Sequence, residues 1–411
     1  MIQINALPKT VRGRSESPHF SGSGENEPGP SRASLIAPRQ AGTDMRTTSV
    51  GVIRIATSGP GDVSGLMAMI VSGAIDPASI LAILGKTEGN GGVNDFTREY
   101  AVAALCTALA PQLGLSPEQV EQRIAFVMSG GTEGVLSPHL TVFTRREAAR
   151  PAGMTGKRLS IGMAHTRDFL PEELGRSAQI VETAQAVKAA MADAGITDAA
   201  DVHFVQIKCP LLTSERVEAA GARGNKTVTT NAYSSMAYSR GASALGVAVA
   251  LGEIGPDIGD ADVLQRYDLF SKVASTSSGI ELMHNVVIVL GNSASSASEF
   301  EIGHAVMDDA IDAAAVMSAL KSVGLGATPQ PGRALVNIFA KAEASPDGDV
   351  RGFRHTMLED TDISSTRHAR AAVGGLIAGL AGTGAVYVSG GAEHQGPAGG
   401  GPVAVIARLP D

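Results

Sequence analysis

The feature that most constrains this 411-residue chain is a serine turn that occurs three times. Ser129-Gly130-Gly131-Thr132-Glu133, Ser277-Ser278-Gly279-Ile280-Glu281 and Ser389-Gly390-Gly391-Ala392-Glu393 all read Ser-x-Gly-x-Glu, and each follows a short apolar or β-prone run. Upstream of each turn, an apolar strand-like run (80–84, 202–207, 334–340) leads to a lysine: Lys86, Lys208 and Lys341. Between lysine and serine comes a hydroxyl–arginine pair, Thr97-Arg98, Ser239-Arg240 or Thr366-Arg367, at the predicted start of a helix. A last apolar strand (140–143, 286–290, 403–406) closes each block.

The lysine-to-serine spacings are 43, 69 and 48 residues, from 86 to 129, 208 to 277 and 341 to 389. Loops therefore vary while the order of chemical groups does not, which indicates divergent internal triplication. Units this long are not solenoid repeats. The predicted architecture is α/β: three homologous α/β repeat domains around a pseudo-threefold axis, with one central active site. The expected units are residues 47–150, 151–294 and 295–411.

Residues 1–46 read differently. Ser, Pro, Gly and charged residues dominate, with little to bury, so a disordered tail is expected. We expect it to be dispensable, with Met45 a candidate initiator. Beyond it, 49 glycines imply many tight turns, and the scarcity of aromatics (4%) leaves the core to Ala, Val, Ile, Leu and Met. A net charge of −8 disfavours a nucleic-acid or membrane-surface binder, which normally carries a basic field. Cys106 and Cys209 are too few for a disulfide framework and fit a reducing compartment. No apolar run is long enough to span a membrane, and no secretory signal is visible, so a cytoplasmic location is expected.

A buried lysine beside a serine can act as its base when desolvation or a nearby cation lowers the ammonium's affinity for its proton. Glycines after the serine allow close backbone approach and an oxyanion hole. An arginine fork suits a carbonyl or enolate oxygen. Taken singly, each is more often a turn, a solvated strand end or a surface contact. Three ordered sets are harder to explain so. If they converge on the axis, the natural complement is a small ring with three equivalent carbonyl–NH edges. Zinc is disfavoured because the histidines and cysteines lack paired ligand spacing; His139 and His394 are read as loop supports.

From about residue 50 onward the chain resembles the cyanuric acid hydrolase/barbiturase family of ring-opening amidohydrolases. The resemblance rests on the runs 85–95 (GKTEGNGGVND), 129–139 (SGGTEGVLSPH) and 389–402 (SGGAEHQGPAGGGP). It implies Lys208 as general base and Ser277 as nucleophile. It implies substrate binding by Arg98, Ser129 and Gly130, by Arg240 and Ser278, and by Arg367, Ser389 and Gly390, with Lys86 and Lys341 supporting. Ser278 stands where the other turns have glycine, so the attacking hydroxyl is Ser277 or Ser278, with Ser277 preferred by position. The resemblance also implies a structural Mg²⁺ held by Glu343, Ala392, Gln395, Gly396, Pro397 and Gly400, a donor set of oxygens that suits a hard cation, and a homotetramer. No organic cofactor is expected. The expected reaction is hydrolytic opening of cyanuric acid to carboxybiuret; barbiturate opening and a non-catalytic ring-binding relative are the alternatives.

Overall fold

The computed structural model describes residues 47–326, 331–358 and 360–410; the predicted N-terminal tail and its candidate initiator Met45 lie outside the described residues. Its first block runs β1 (Thr48–Ala56), α1 (Ser64–Val71), β2 (Ile80–Thr87), α2 (Phe96–Leu113), α3 (Pro117–Arg123), β3 (Ala125–Gly130) and β4 (His139–Glu147). The second runs β5 (Arg158–His165), α4 (Ser177–Asp193), β6 (Val202–Pro210), α5 (Ser214–Ala222), α6 (Ala232–Ala250), β7 (Ala274–Gly279) and β8 (Val286–Ser293). The third runs β9 (Phe300–Met307), α7 (Ala313–Ser322), β10 (Ala334–Ala342), a small hairpin of β11 (Asp349–Val350) and β12 (Phe353–Arg354), α8 (Ser365–Ala381), β13 (Tyr387–Gly390) and β14 (Gly401–Arg408).

Each block folds into a four-stranded sheet of the same order: β1-β4-β2-β3, β5-β8-β6-β7 and β9-β14-β10-β13. In each, the first three neighbours pair antiparallel and the lysine strand pairs parallel with the serine strand. The lysine strands are buried on both faces over most of their length, which explains their largely apolar character instead of alternation.

One face of every sheet turns to a shared core, built from residues such as Val52 and Leu84, Ile161 and Leu290, and Ile302 and Ile406. The other face packs against its own block's helices in a separate core. Two of the scarce aromatics meet Phe339 from the other two sheets: its ring lies 6.2 Å from Phe143 and 5.3 Å from Phe204. No helix among the described residues is long and apolar enough to cross a membrane.

The helix ends explain where local reading succeeded. Asp95 caps α2 by accepting from the Thr97 N–H, and Gly114 ends it at φ 64°. Asn231 caps α6 through the Ser234 N–H, two turns before the Ser239-Arg240 pair. Ser239-Arg240 therefore lies mid-helix and not at a helix start, because Asn231 offers the stronger cap. At the start of α1, Val63 holds the N-cap position, while the Asp62 carboxylate accepts from the N–H and Oγ of both Ser58 and Ser64.

Phe339 is fully buried where the three sheets meet. Phe339→Ala should lower unfolding free energy by about 3–5 kcal/mol, measured by chemical denaturation.

Candidate active site

Parallel pairing places directly opposed side chains on one face of the sheet. The register opposes Lys86 to Ser129, Lys208 to Ser277 and Lys341 to Ser389. All three pairs sit at the carboxyl ends of their strands, around a single cavity of about 370 Å³. The serines and the residues that follow them, Ser129-Gly130, Ser277-Ser278 and Ser389-Gly390, line this cavity together with Arg98, Arg240 and Arg367. The lysines lie behind the serines, no more than 2% exposed.

Contacts run cyclically between blocks. Lys86 Nζ donates to Ser129 Oγ at 3.1 Å and to the carbonyl of Val388, the residue before Ser389, at 2.8 Å. Lys341 Nζ repeats this one block on, donating to Ser389 Oγ at 3.3 Å and to the carbonyl of Thr276, the residue before Ser277, at 2.8 Å. It also reaches the Gly390 carbonyl at 3.1 Å. The turn glutamates follow the same cycle. Glu133 receives Arg370 at 2.6 Å and Arg367 at 3.3 Å from α8. Glu393 receives Arg240 from α6 at 2.5 Å.

The second block breaks both relations. Glu281 pairs with Lys208 at 2.8 Å. Arg98, which the cycle would give to Glu281, donates to the backbone carbonyls of Gly92 at 2.6 Å and Ser278 at 3.5 Å. Ser277 is also the least enclosed of the three serines, and its Oγ stands 3.3 Å from Ser389 Oγ.

Burial and the Arg370 charge push the Lys86 ammonium well below the ordinary lysine range. Burial, then the charge of Arg240, push Lys341 down to about 7. Burial alone would raise Glu133 and Glu393, but their arginines more than reverse it and hold both carboxyls low. Burial leaves His139 down at about 4; its Nδ1 faces the Ser137 carbonyl and its Nε2 faces Asn337. His394 accepts the Leu264 N–H at Nε2, which puts its proton on Nδ1 toward the Leu269 carbonyl. His394 therefore ties loops together, whereas His139, the first residue of β4, links strand β10 through Asn337 to the end of its own preceding loop.

Glycine recurs after two of the serines for a steric reason. A side chain at Gly130 would strike the Asp95 carboxylate, and one at Gly390 would strike Thr366. The second turn admits Ser278, whose Oγ accepts from Arg240 at 3.4 Å.

The expected metal residues form one neighbourhood. Glu343 follows β10, beside the loop 391–400 that joins β13 to β14. Burial, then the nearby Glu393, push the Glu343 carboxyl up to about 8, and Ala392 donates its N–H to it. A carboxyl short of positive charge beside a carbonyl-rich loop fits a hard cation. The Gln395 side chain is already committed, accepting from Thr276 N–H and donating to the Gly391 and Glu393 carbonyls, so only its carbonyl is open to a metal. The Ala392 and Pro397 carbonyls each accept one backbone bond and keep a second lone pair. Among the described residues no group of three or more His, Cys, Asp or Glu is placed to hold a metal.

Arg370 is the residue that sequence reading missed. It lies one turn after Arg367 on α8, 2% exposed, and lines the cavity. The spacing from Arg367 was the available signal; the other two helices have Ala101 and Ser243 there, so the repeat pattern concealed it.

The family described as amidohydrolase ring-opening protein matches residues 51–408. The chain belongs to this family. A protein of Bradyrhizobium diazoefficiens named cyanuric acid amidohydrolase is 89% identical over 370 residues, covering 89% of this chain and all of that protein. Another of that name, from Pseudomonas sp. strain ADP, is 60% identical and covers 87% of this chain and 99% of its own. A solved cyanuric acid hydrolase, described as an innovation by structural concatenation, has TM-score 0.84 at 58% identity, over 88% of this chain and 100% of its own. A second, from A. caulinodans, has TM-score 0.81 at 53% identity, over 88% and 99%.

Removing one partner of a buried ion pair strands the other charge. Glu393→Gln should therefore cost about 3–5 kcal/mol of unfolding free energy. Because the folded state holds Glu393 below its ordinary value, that contribution is present above the ordinary carboxylate range and lost as pH falls below it. Denaturation of wild type and variant across pH 3–8 measures both (about 3 to 8 spans the carboxylate titration).

Proposed function

We propose that this protein hydrolyses cyanuric acid, opening the ring to carboxybiuret. The observation that carries the reading is the triple array around one cavity: three serine turns and three cavity arginines face a single small space. A ring with three equivalent carbonyl–NH edges complements it edge by edge. The relatives' names point the same way.

In this reading Ser277 is the nucleophile and Lys208 its base. Lys208 takes the hydroxyl proton as Ser277 Oγ bonds to one ring carbonyl carbon. The carbon–nitrogen bond of the ring breaks, and the proton passes from Lys208 to the departing nitrogen. Water then attacks the acyl-serine, giving its proton to Lys208, and the Ser277 hydroxyl is regenerated as carboxybiuret leaves. Ser129 with Lys86, and Ser389 with Lys341, hold the other two carbonyls, while Arg98, Arg240 and Arg367 bind ring oxygens that gain charge. Gly130 and Gly390 let the backbone approach the ring, and Ser278 takes that place in the second turn.

The relative openness of Ser277 supports this choice. One observation favours a second reading with Ser389 as nucleophile: Lys341 sits 3.3 Å from its Oγ, where burial and then the Arg240 charge push the ammonium down to about 7. Against it, Ser389 is the more enclosed hydroxyl, 4% exposed where Ser277 is half-buried. A barbiturate ring, with one CH₂ in place of an NH, would leave one set without a partner.

A structural Mg²⁺ at Glu343, with carbonyls of Ala392, Gln395, Gly396, Pro397 and Gly400, would supply the charge Glu343 lacks and fix the loop behind Ser389. A homotetramer in the cytoplasm completes the reading.

Purified protein should consume cyanuric acid and leave barbiturate largely intact. Ser277→Ala and Lys208→Ala should each lower kcat on the order of 10⁴-fold or more without unfolding the protein. Turnover near wild type in Ser277→Ala, lost instead in Ser389→Ala, would transfer the chemistry to the third set. Elemental analysis should find close to one magnesium per chain; its absence would remove the metal.

A further inference from the structure

The break in the cycle at the second block is confined to a few residues. In the other two blocks the turn glutamate neutralises an arginine from a neighbouring block's helix, and the lysine binds its own serine and a neighbouring block's carbonyl. In the second block glutamate and lysine bind each other. Sequence does not show this exchange, because Glu281 occupies the same place in its turn as Glu133 and Glu393.

We propose that Glu281 is the positioning residue of the reacting set, the charge partner that orients Lys208 and stabilises its ammonium form after it takes the Ser277 proton. This rests on the reading of Ser277 and Lys208 as nucleophile and base. The role parallels that of the carboxylate behind the histidine of a Ser-His-Asp triad, which stays ionised while its partner becomes a cation. The two other glutamates cannot serve this way, because each is already neutralised by an arginine.

The charged and titratable surroundings are compatible with it. Glu281 feels Arg98 from α2 and Arg216 from α5, besides Lys208. Arg216 is anchored on the Leu211 and Ile280 carbonyls, and Arg98 on those of Gly92 and Ser278. Arg240, the cation on α6, is held by Glu393. Cys209, next to Lys208, is pushed up by burial and stays a neutral thiol. Glu281 is 44% exposed, so replacing it should leave the fold intact.

The test is the pH dependence of kcat/KM and kcat on cyanuric acid for wild type, Glu281→Gln and Glu281→Asp, with Ser277→Ala beside them. Gln keeps the volume and one acceptor oxygen for Lys208 but not the charge. Without that charge the ammonium form of Lys208 is less favoured, so the acid limb of kcat/KM should move about one unit or more to lower pH. At the optimum kcat should fall on the order of 10–100-fold with KM changing little. Asp, shorter by one methylene, should fall between Gln and wild type in both measures. An unmoved acid limb in Glu281→Gln, with Ser277→Ala inactive, would overturn this proposal and leave the Ser277 reading standing. Activity in Ser277→Ala would overturn the reading itself.

Discussion

The buried lysines at the strand ends are the constraint on which this structure depends. Taking an ammonium group out of water costs several kcal/mol unless acceptors surround it. Here part of that environment comes from another block. Lys86 relies on the Val388 carbonyl of the third block, and Lys341 on the Thr276 carbonyl of the second. The turn glutamates tie the blocks in the same direction through Arg240 and Arg370. A separated block would leave these charges unmatched, so the cavity exists only when the three sheets close around their common core.

That requirement explains how much was legible in advance. Triplication was readable because the chemistry fixes residue types at strand ends: Lys and Ser at Lys86/Ser129, Lys208/Ser277 and Lys341/Ser389 stand out even where intervening loops differ in length. The strand order makes each lysine strand and serine strand neighbours, and their parallel register sets each pair side by side. What could not be read was the pairing of side chains across blocks. Nothing in the local sequence says that Glu133 will meet α8, or that Glu281 will meet Lys208. Arg370 stayed hidden because it has no counterpart in the other repeats. Reading Ser239-Arg240 as a helix start was a local error, because Asn231 supplies the cap two turns upstream.

Symmetry and chemistry make opposite demands on such a site. Binding a threefold ring favours three equal sets of donors, whereas hydrolysis needs one carbonyl to react and two to be held. The first and third sets share one arrangement, with lysine bound to serine and glutamate bound to arginine. The second departs from it at Ser278, at Glu281 and in the openness of Ser277. One substitution in an inherited turn, Ser278 for glycine, and one change of partner by an unchanged glutamate set the second position apart from the other two.

The most direct measurement is to quench the enzyme during turnover of cyanuric acid and locate the acyl group by peptide mass spectrometry. An adduct on Ser277 is the predicted result. An adduct on Ser129 or Ser389, in place of Ser277, would contradict the assignment of chemistry to the asymmetric set.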